Sequence, residues 1–197
     1  MWIGVTRRPL ILLNGTQHSA YQDCINRFGS ESIWQAAIDI DEYPFSPTDQ
    51  QPKFAARAIA RFSEKVPTAS ELTMQNYLFL GKPLDDTKHP LLIDRIWRRT
   101  HRPANLLVKP IYKPSHVARA TVHHNSLKRG RSVNFPVDQL RMNHYWGARL
   151  QNWGEDTPEI IAKTEPDNSM ESIVKTLQIC IGDCLPSVDF AYHKQWN

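Results

Sequence analysis

Cysteine is scarce in this chain. Three thiols, Cys24, Cys180 and Cys184, are spread over 197 residues, too few and too scattered for a disulfide framework. Cys180 and Cys184 stand at a spacing that suits two metal ligands, but no second cysteine pair completes a structural zinc site. Long hydrophobic runs are missing as well, and no stretch approaches the length of a membrane span. The apolar run from Pro9 to Leu13 follows Arg7-Arg8; it is too short for a secretory core, and no small-residue cleavage pattern comes after it. The expectation is a cytoplasmic or membrane-peripheral chain. Internal repeats and low-complexity segments are absent. A strong excess of one charge is absent too: 24 Lys and Arg face 20 Asp and Glu, a net charge of +4. That accommodates an anionic ligand such as a nucleotide diphosphate without demanding nucleic acid.

What is present reads as globular. Hydrophobic residues make up 41% and charged residues 22%, enough for one domain with a real core. The run Ile33-Trp34-Gln35-Ala36-Ala37-Ile38-Asp39-Ile40-Asp41-Glu42-Tyr43 is apolar and then ends in three acids within four residues. Charge inside a core is costly unless paired or bound to metal. At the end of a strand, Asp39 and Asp41 would emerge on one face, because side chains alternate with period two. Two such carboxylates can hold a hard divalent cation that keeps open positions for phosphate oxygens. An acidic turn after a strand explains the same residues.

Residues 9–14 read as a buried strand. Gly15-Thr16 then supplies a turn and an N-cap, with Asn14-Gly15-Thr16 also fitting a glycosylation acceptor. Ala20, Tyr21, Cys24, Ile25 and Phe28 recur at helical spacing, and Gly29 follows as a stop. The run 33–40 is continuous in apolar character, as interior parallel strands are. Strand, helix and strand make one βαβ unit, which puts Asp39 and Asp41 at the ligand edge beyond a strand's carboxyl end. Pro44, Ser46 and Pro47 predict a loop. Phe54, Ala55, Ala58, Ile59 and Phe62 mark an amphipathic helix. Strands are expected over 71–80, 91–98, 105–112, 116–122 and 138–146. Met170 to Cys180 reads as a helix with Ile173, Leu177 and Ile181 on one face.

Further motifs carry two readings each. In Leu140-Arg141-Met142-Asn143-His144-Tyr145-Trp146, alternation puts His144 on an apolar face, as a satisfied core residue or as a third ligand. A neutral imidazole with two carboxylates suits Mn²⁺. His123 and His124 are adjacent, so on a strand at most one faces a given pocket, where it would line a sugar or phosphate site. Lys109 and Lys113 are solvated lysines or point charges for a diphosphate. Arg95-Ile96-Trp97-Arg98-Arg99 and Lys128-Arg129-Gly130-Arg131 are basic; a grip on nucleic acid and a solvated edge or turn both fit, and the mild net charge favours the latter.

Several of these segments together resemble glycosyltransferase family 92, the DUF23-type proteins. The resemblance is carried by Gln17, by Ala20-Tyr21-Gln22-Asp23-Cys24, and by Trp34 leading to Asp39-Ile40-Asp41-Glu42-Tyr43. It continues through Leu91-Leu92-Ile93-Asp94-Arg95, Val108-Lys109-Pro110-Ile111, Val122-His123-His124 and the 140–146 segment, all in the family's order over residues 17–150. The resemblance implies an α/β, GT-A-like nucleotide-sugar transferase domain, a mixed sheet flanked by helices. It implies transfer of a sugar from a nucleotide-sugar donor, a UDP-sugar by expectation, to a carbohydrate acceptor. Asp39 and Asp41 then hold Mn²⁺ or Mg²⁺ with His144 as third ligand, and the metal acts as a Lewis acid on the leaving group. An inverting reaction calls for a general base. Glu42 and Asp94 are the candidates, although Glu42 can instead orient the site or cap a backbone group. Lys109 and His124 are the candidates on the donor side.

The family's domain normally opens with another βαβ region announced by an acidic "NE" motif, and nothing before Pro9 supplies it. The expectation is an N-terminally shortened domain over 1–154 and a helical extension over 155–197, with a membrane association of the kind such transferases show. Two rivals stand beside this reading. One is a catalytically inactive GT-A-like module that binds a glycan or a protein. The other is a His-His-Asn nuclease using His123, His124 and Asn134, which residues 126–137 disfavour because they contain Gly130 and Pro136 and show no helical period.

Overall fold

The computed structural model describes residues 16–148 and 156–184. The predicted strand over 9–14, the glycosylation acceptor Asn14 and the stretch 149–154 lie outside the described residues. In chain order the helices are α1 (Thr16–Phe28), α2 (Phe54–Lys65), α3 (Leu92–Arg95), α4 (Pro158–Ile161) and α5 (Glu171–Cys184). The strands are β1 (Gln35–Ala36), β2 (Glu42–Phe45), β3 (Ala69–Leu78), β4 (Arg98–Thr100), β5 (Ala104–Tyr112), β6 (Val117–Arg119), β7 (Ser126–Leu127), β8 (Arg131–Asn134), β9 (Arg141–His144) and β10 (Thr164–Pro166). They gather into two compact units: the first from residues up to 76 and 104–142, the second from 77–103 and from 143 onward.

The first unit is mixed α/β. Its sheet runs in the order β1-β5-β3-β9-β2, with β8 also on β3. β1 and β3 are antiparallel to β5, whereas β8 is parallel to β3. Leu72, Met74, Ile111, Phe135, Leu140 and Met142 are buried side by side, and α2 lays Phe54, Ala55, Ala58, Ile59 and Phe62 against them. These are the five positions that the sequence spacing marks. Every one returns to the same face at three or four residues, as a 3.6-residue repeat requires. A second cluster places Ile25 and Tyr21 of α1 against Tyr112 and Val117. At Gly29 α1 gives way to a short 3₁₀ turn, Gly29–Glu31, and a Cβ there would lie 2.9 Å from the Pro114 Cβ.

Several expectations need correction. The strand over 33–40 shrinks to the two residues of β1, antiparallel rather than parallel. The apolar run is not buried on both sides: Ile33 is exposed and Ile40 is 95% exposed. The chain instead turns, with the Glu42 N–H donating to the Asp39 carbonyl at 3.2 Å. Pro44, expected in a loop, sits in β2 at the end of the described strand order, where a missing N–H costs no ladder bond. The strand expected over 91–98 is the short helix α3 followed by β4. The one over 116–122 stops at Arg119, so His123 and His124 lie outside any strand. Periodicity missed β8 altogether. A run of four residues, mostly exposed, carries too little apolar signal.

The second unit pairs β4 with β10 in antiparallel register, Arg99 opposite Glu165. The Phe79 and Tyr145 rings stack at 4.4 Å. In α5 the buried positions are Met170, just before it, and Val174, while Leu177 is exposed; the inward face is thus rotated from the one expected at Ile173 and Leu177. No helix among the described residues is long and apolar enough to cross a membrane.

Candidate functional site

The acids of the 39–42 turn belong to the first unit and form a connected cluster. Glu42 reaches back along its own turn, and its Oε2 accepts the Asp39 N–H at 3.0 Å. The two residues therefore clasp each other, because the Glu42 N–H bonds the Asp39 carbonyl in return. Lys109 comes from β5, where an apolar strand carries a single cation. Its side chain is 1% exposed, with Nζ 2.7 Å from Asp39 Oδ2 and 3.2 Å from Glu42 Oε2. The Glu42 side chain is fully buried, while that of Asp39 keeps 32% of its surface open. Asn76 of β3 donates to Glu42 Oε1 at 3.5 Å. A lysine buried in this way is tolerated because Asp39 accepts from it and both carboxylates pair with its charge.

Helix α1 closes the cluster from the other side. Gln17 Nε2 and the Tyr21 hydroxyl donate to Asp39 Oδ1 at 3.1 and 3.2 Å, and Gln17 also donates to the Tyr21 oxygen at 2.8 Å. Burial first, and then the charge of Asp39, pushes the Tyr21 phenol up to about 12. The hydroxyl thus keeps the proton it donates. Burial and the charge of Asp41 likewise raise Tyr43. Asp41 itself is buried.

The structure brings together Asp39, Glu42 and Lys109. Among the described residues, no three His, Cys, Asp or Glu side chains are arranged to hold a metal ion. His144 ends strand β9 and is buried, with its ring 5.2 Å from Trp146. The donor chemistry of Asp39 and Asp41 still fits a hard cation. Magnesium-like ions are commonly held by one or two carboxylates, with substrate phosphates completing the shell.

The remaining candidates are dispersed. His123 Nδ1 lies 3.0 Å from the Val108 carbonyl. His124 is largely exposed, 3.9 Å from the buried Glu71 carboxylate, too far for a hydrogen bond. Asn134 accepts from the Thr73 hydroxyl at 2.6 Å, so it is occupied within the sheet. Lys113 packs over the Trp34 ring. In the second unit, Asp94 Oδ2 meets His89 Nδ1 at 2.8 Å. The arginines of 95–99 are internal ties. Arg95 donates to the His89 carbonyl, Arg98 to Thr164, and Arg99 to Asp167 and Glu165. Gln17, Tyr21 and Asn76 were not singled out by the chemistry of the sequence, because amides and phenols carry no spacing signal.

A comparison with curated proteins returns no match. The model of glycosyltransferase family 92 matches residues 11–179, a span that takes in both units and every residue of the acidic turn. The chain therefore belongs to glycosyltransferase family 92.

Proposed function

We propose that this chain transfers a sugar from a nucleotide sugar, a UDP-sugar in the first instance, to a carbohydrate hydroxyl, with Asp39 and Asp41 holding Mn²⁺ or Mg²⁺. Family membership supports glycosyl transfer as such. The observation that carries the finer reading is the partly open Asp39 carboxylate beside the buried Asp41 and Glu42. When bound there, the cation would supply charge stabilisation to a departing diphosphate. The chain's own residues fix that turn. Glu42 anchors it from beneath through the Asp39 N–H and Lys109, and Gln17 and Tyr21 set the orientation of Asp39. Glu42 is thus a positioning residue, since a fully buried carboxylate cannot reach an acceptor hydroxyl. Asp94, beside His89, is the better candidate for general base.

Calorimetry with UDP and Mn²⁺ tests the assignment. Binding by the parent and its loss in Asp39→Asn, with the fold retained, supports the reading. Equal binding by both proteins overturns it. Lys109 on Asp39 favours a second reading, in which an internal cation has replaced the metal and the domain only binds a glycan or a protein. Absence of heat at millimolar UDP in Mn²⁺ would select it.

A further inference from the structure

The second unit carries a groove of about 180 Å³ whose lining includes Asp94, Ile96, Trp97, Asp167, Asn168 and Glu171. Trp97 leaves 47% of its surface open, and the Arg98 guanidinium sits 5.4 Å from its ring centroid. A large aromatic left half-bare beside apolar side chains offers a flat face to a ligand. Around it stand three carboxylates and an amide.

Each carboxylate is braced from outside the groove. Asp94 meets His89 at 2.8 Å. Asp167 is paired with Arg99 and accepts the Ser169 N–H at 2.9 Å, with only 7% of its side chain exposed. Glu171 meets Lys175 at 2.7 Å. None of these partners is among the lining residues, and no lysine or arginine is. The groove therefore presents carboxylate oxygens whose partners, Arg99, Lys175 and His89, stand outside its lining.

That arrangement disfavours a nucleoside diphosphate, whose phosphates would face three carboxylates in a lining without lysine or arginine. It suits a neutral molecule with hydroxyl edges and a C–H face, since hydroxyls donate to carboxylate oxygens in charge-assisted hydrogen bonds. We propose that this groove binds a neutral saccharide, with a sugar ring stacked on Trp97 and its hydroxyls donating to Asp94, Asp167 and Glu171. Calling that saccharide the acceptor rests on the transferase reading above. The binding itself does not.

The test titrates the full chain with cellobiose, lactose, maltose and N,N′-diacetylchitobiose, without nucleotide or metal, followed by amide and indole NMR shifts. At least one sugar should move the Trp97 indole and Asn168 side-chain signals saturably. Trp97→Ala should weaken that binding about tenfold or more, and Trp97→Phe, which keeps a ring, should weaken it less. Should the alanine variant not fold, Asn168→Ala takes its place with the same expected direction. Failure of all four sugars to move these signals overturns the proposal. So does an affinity indifferent to these substitutions, or a preference of the same signals for a basic peptide such as oligolysine. The two readings fail separately. Sugar binding in the groove together with Asp39-independent UDP binding sinks only the donor site. Asp39-dependent UDP binding without sugar in the groove sinks only the groove.

Discussion

The Lys109 ammonium bridges Asp39 and Glu42, at 2.7 and 3.2 Å, from a position that solvent does not reach. One cation thus ties strand β5 to both ends of the acidic turn. Removing it leaves two carboxylates without their counter-charge. Lys109→Met should destabilise the protein by about 3–5 kcal/mol, read from urea unfolding. The double variant Lys109→Met with Glu42→Gln should lose less than the sum of the two single losses, because the second change removes a charge that the first has orphaned. Additive losses would show that the bridge is not an energetic unit.

Tyr21 should titrate late. Its folded value stands at about 12 against an ordinary 10.0, so the folded state holds this proton more tightly than the unfolded chain. The stability linked to it is complete below pH 10 and is lost as the pH rises toward 12. Ultraviolet titration of the phenolates should lose one late component in Tyr21→Phe, while those of the other raised phenols, Tyr43 and Tyr112, remain. That variant should also show a shallower alkaline loss of stability. An unchanged number of late-titrating phenols in that variant would remove Tyr21 from them.

Asp94→Asn separates chemistry from donor binding. If Asp94 takes the acceptor proton, turnover should fall roughly a hundredfold to ten-thousandfold. UDP binding in Mn²⁺ should stay as in the parent. Initial rates of UDP release and calorimetry read the two quantities. Unchanged turnover would remove Asp94 from the mechanism.

Gly29→Ala should cost about 1–3 kcal/mol, the usual penalty for forcing an extra carbon into a filled space. Its new Cβ would meet the Pro114 Cβ at 2.9 Å. Pairing it with Pro114→Ala should return part of the loss in thermal unfolding. No return would place the strain elsewhere.

The sequence read well wherever one element buries one face. Helix α2 is the clearest case: Phe54, Ala55, Ala58, Ile59 and Phe62 all pack where their spacing puts them. It misled where apolar residues are not buried. Ile33 and Ile40 made 33–40 look like an interior strand, yet both face outward and the chain turns at the acids. The acidic cluster was legible in Asp39, Asp41 and Glu42, but its cation was not assigned to it. The signal was there: a lysine in the middle of the apolar strand Val108-Lys109-Pro110-Ile111 needs a buried acid. What no local pattern revealed is which acid, because Lys109 and Asp39 meet across 70 positions of chain.

Ile40 crowns the acidic turn with its side chain bare on nearly every side. A paramagnetic tag on an Ile40→Cys variant, made after the exposed thiols of Cys24 and Cys180 and the remaining Cys184 are replaced by serine, would sit on the residue between the two aspartates. Relaxation of ligand protons by that tag would measure how near any nucleotide or sugar comes to the acids without perturbing a buried contact.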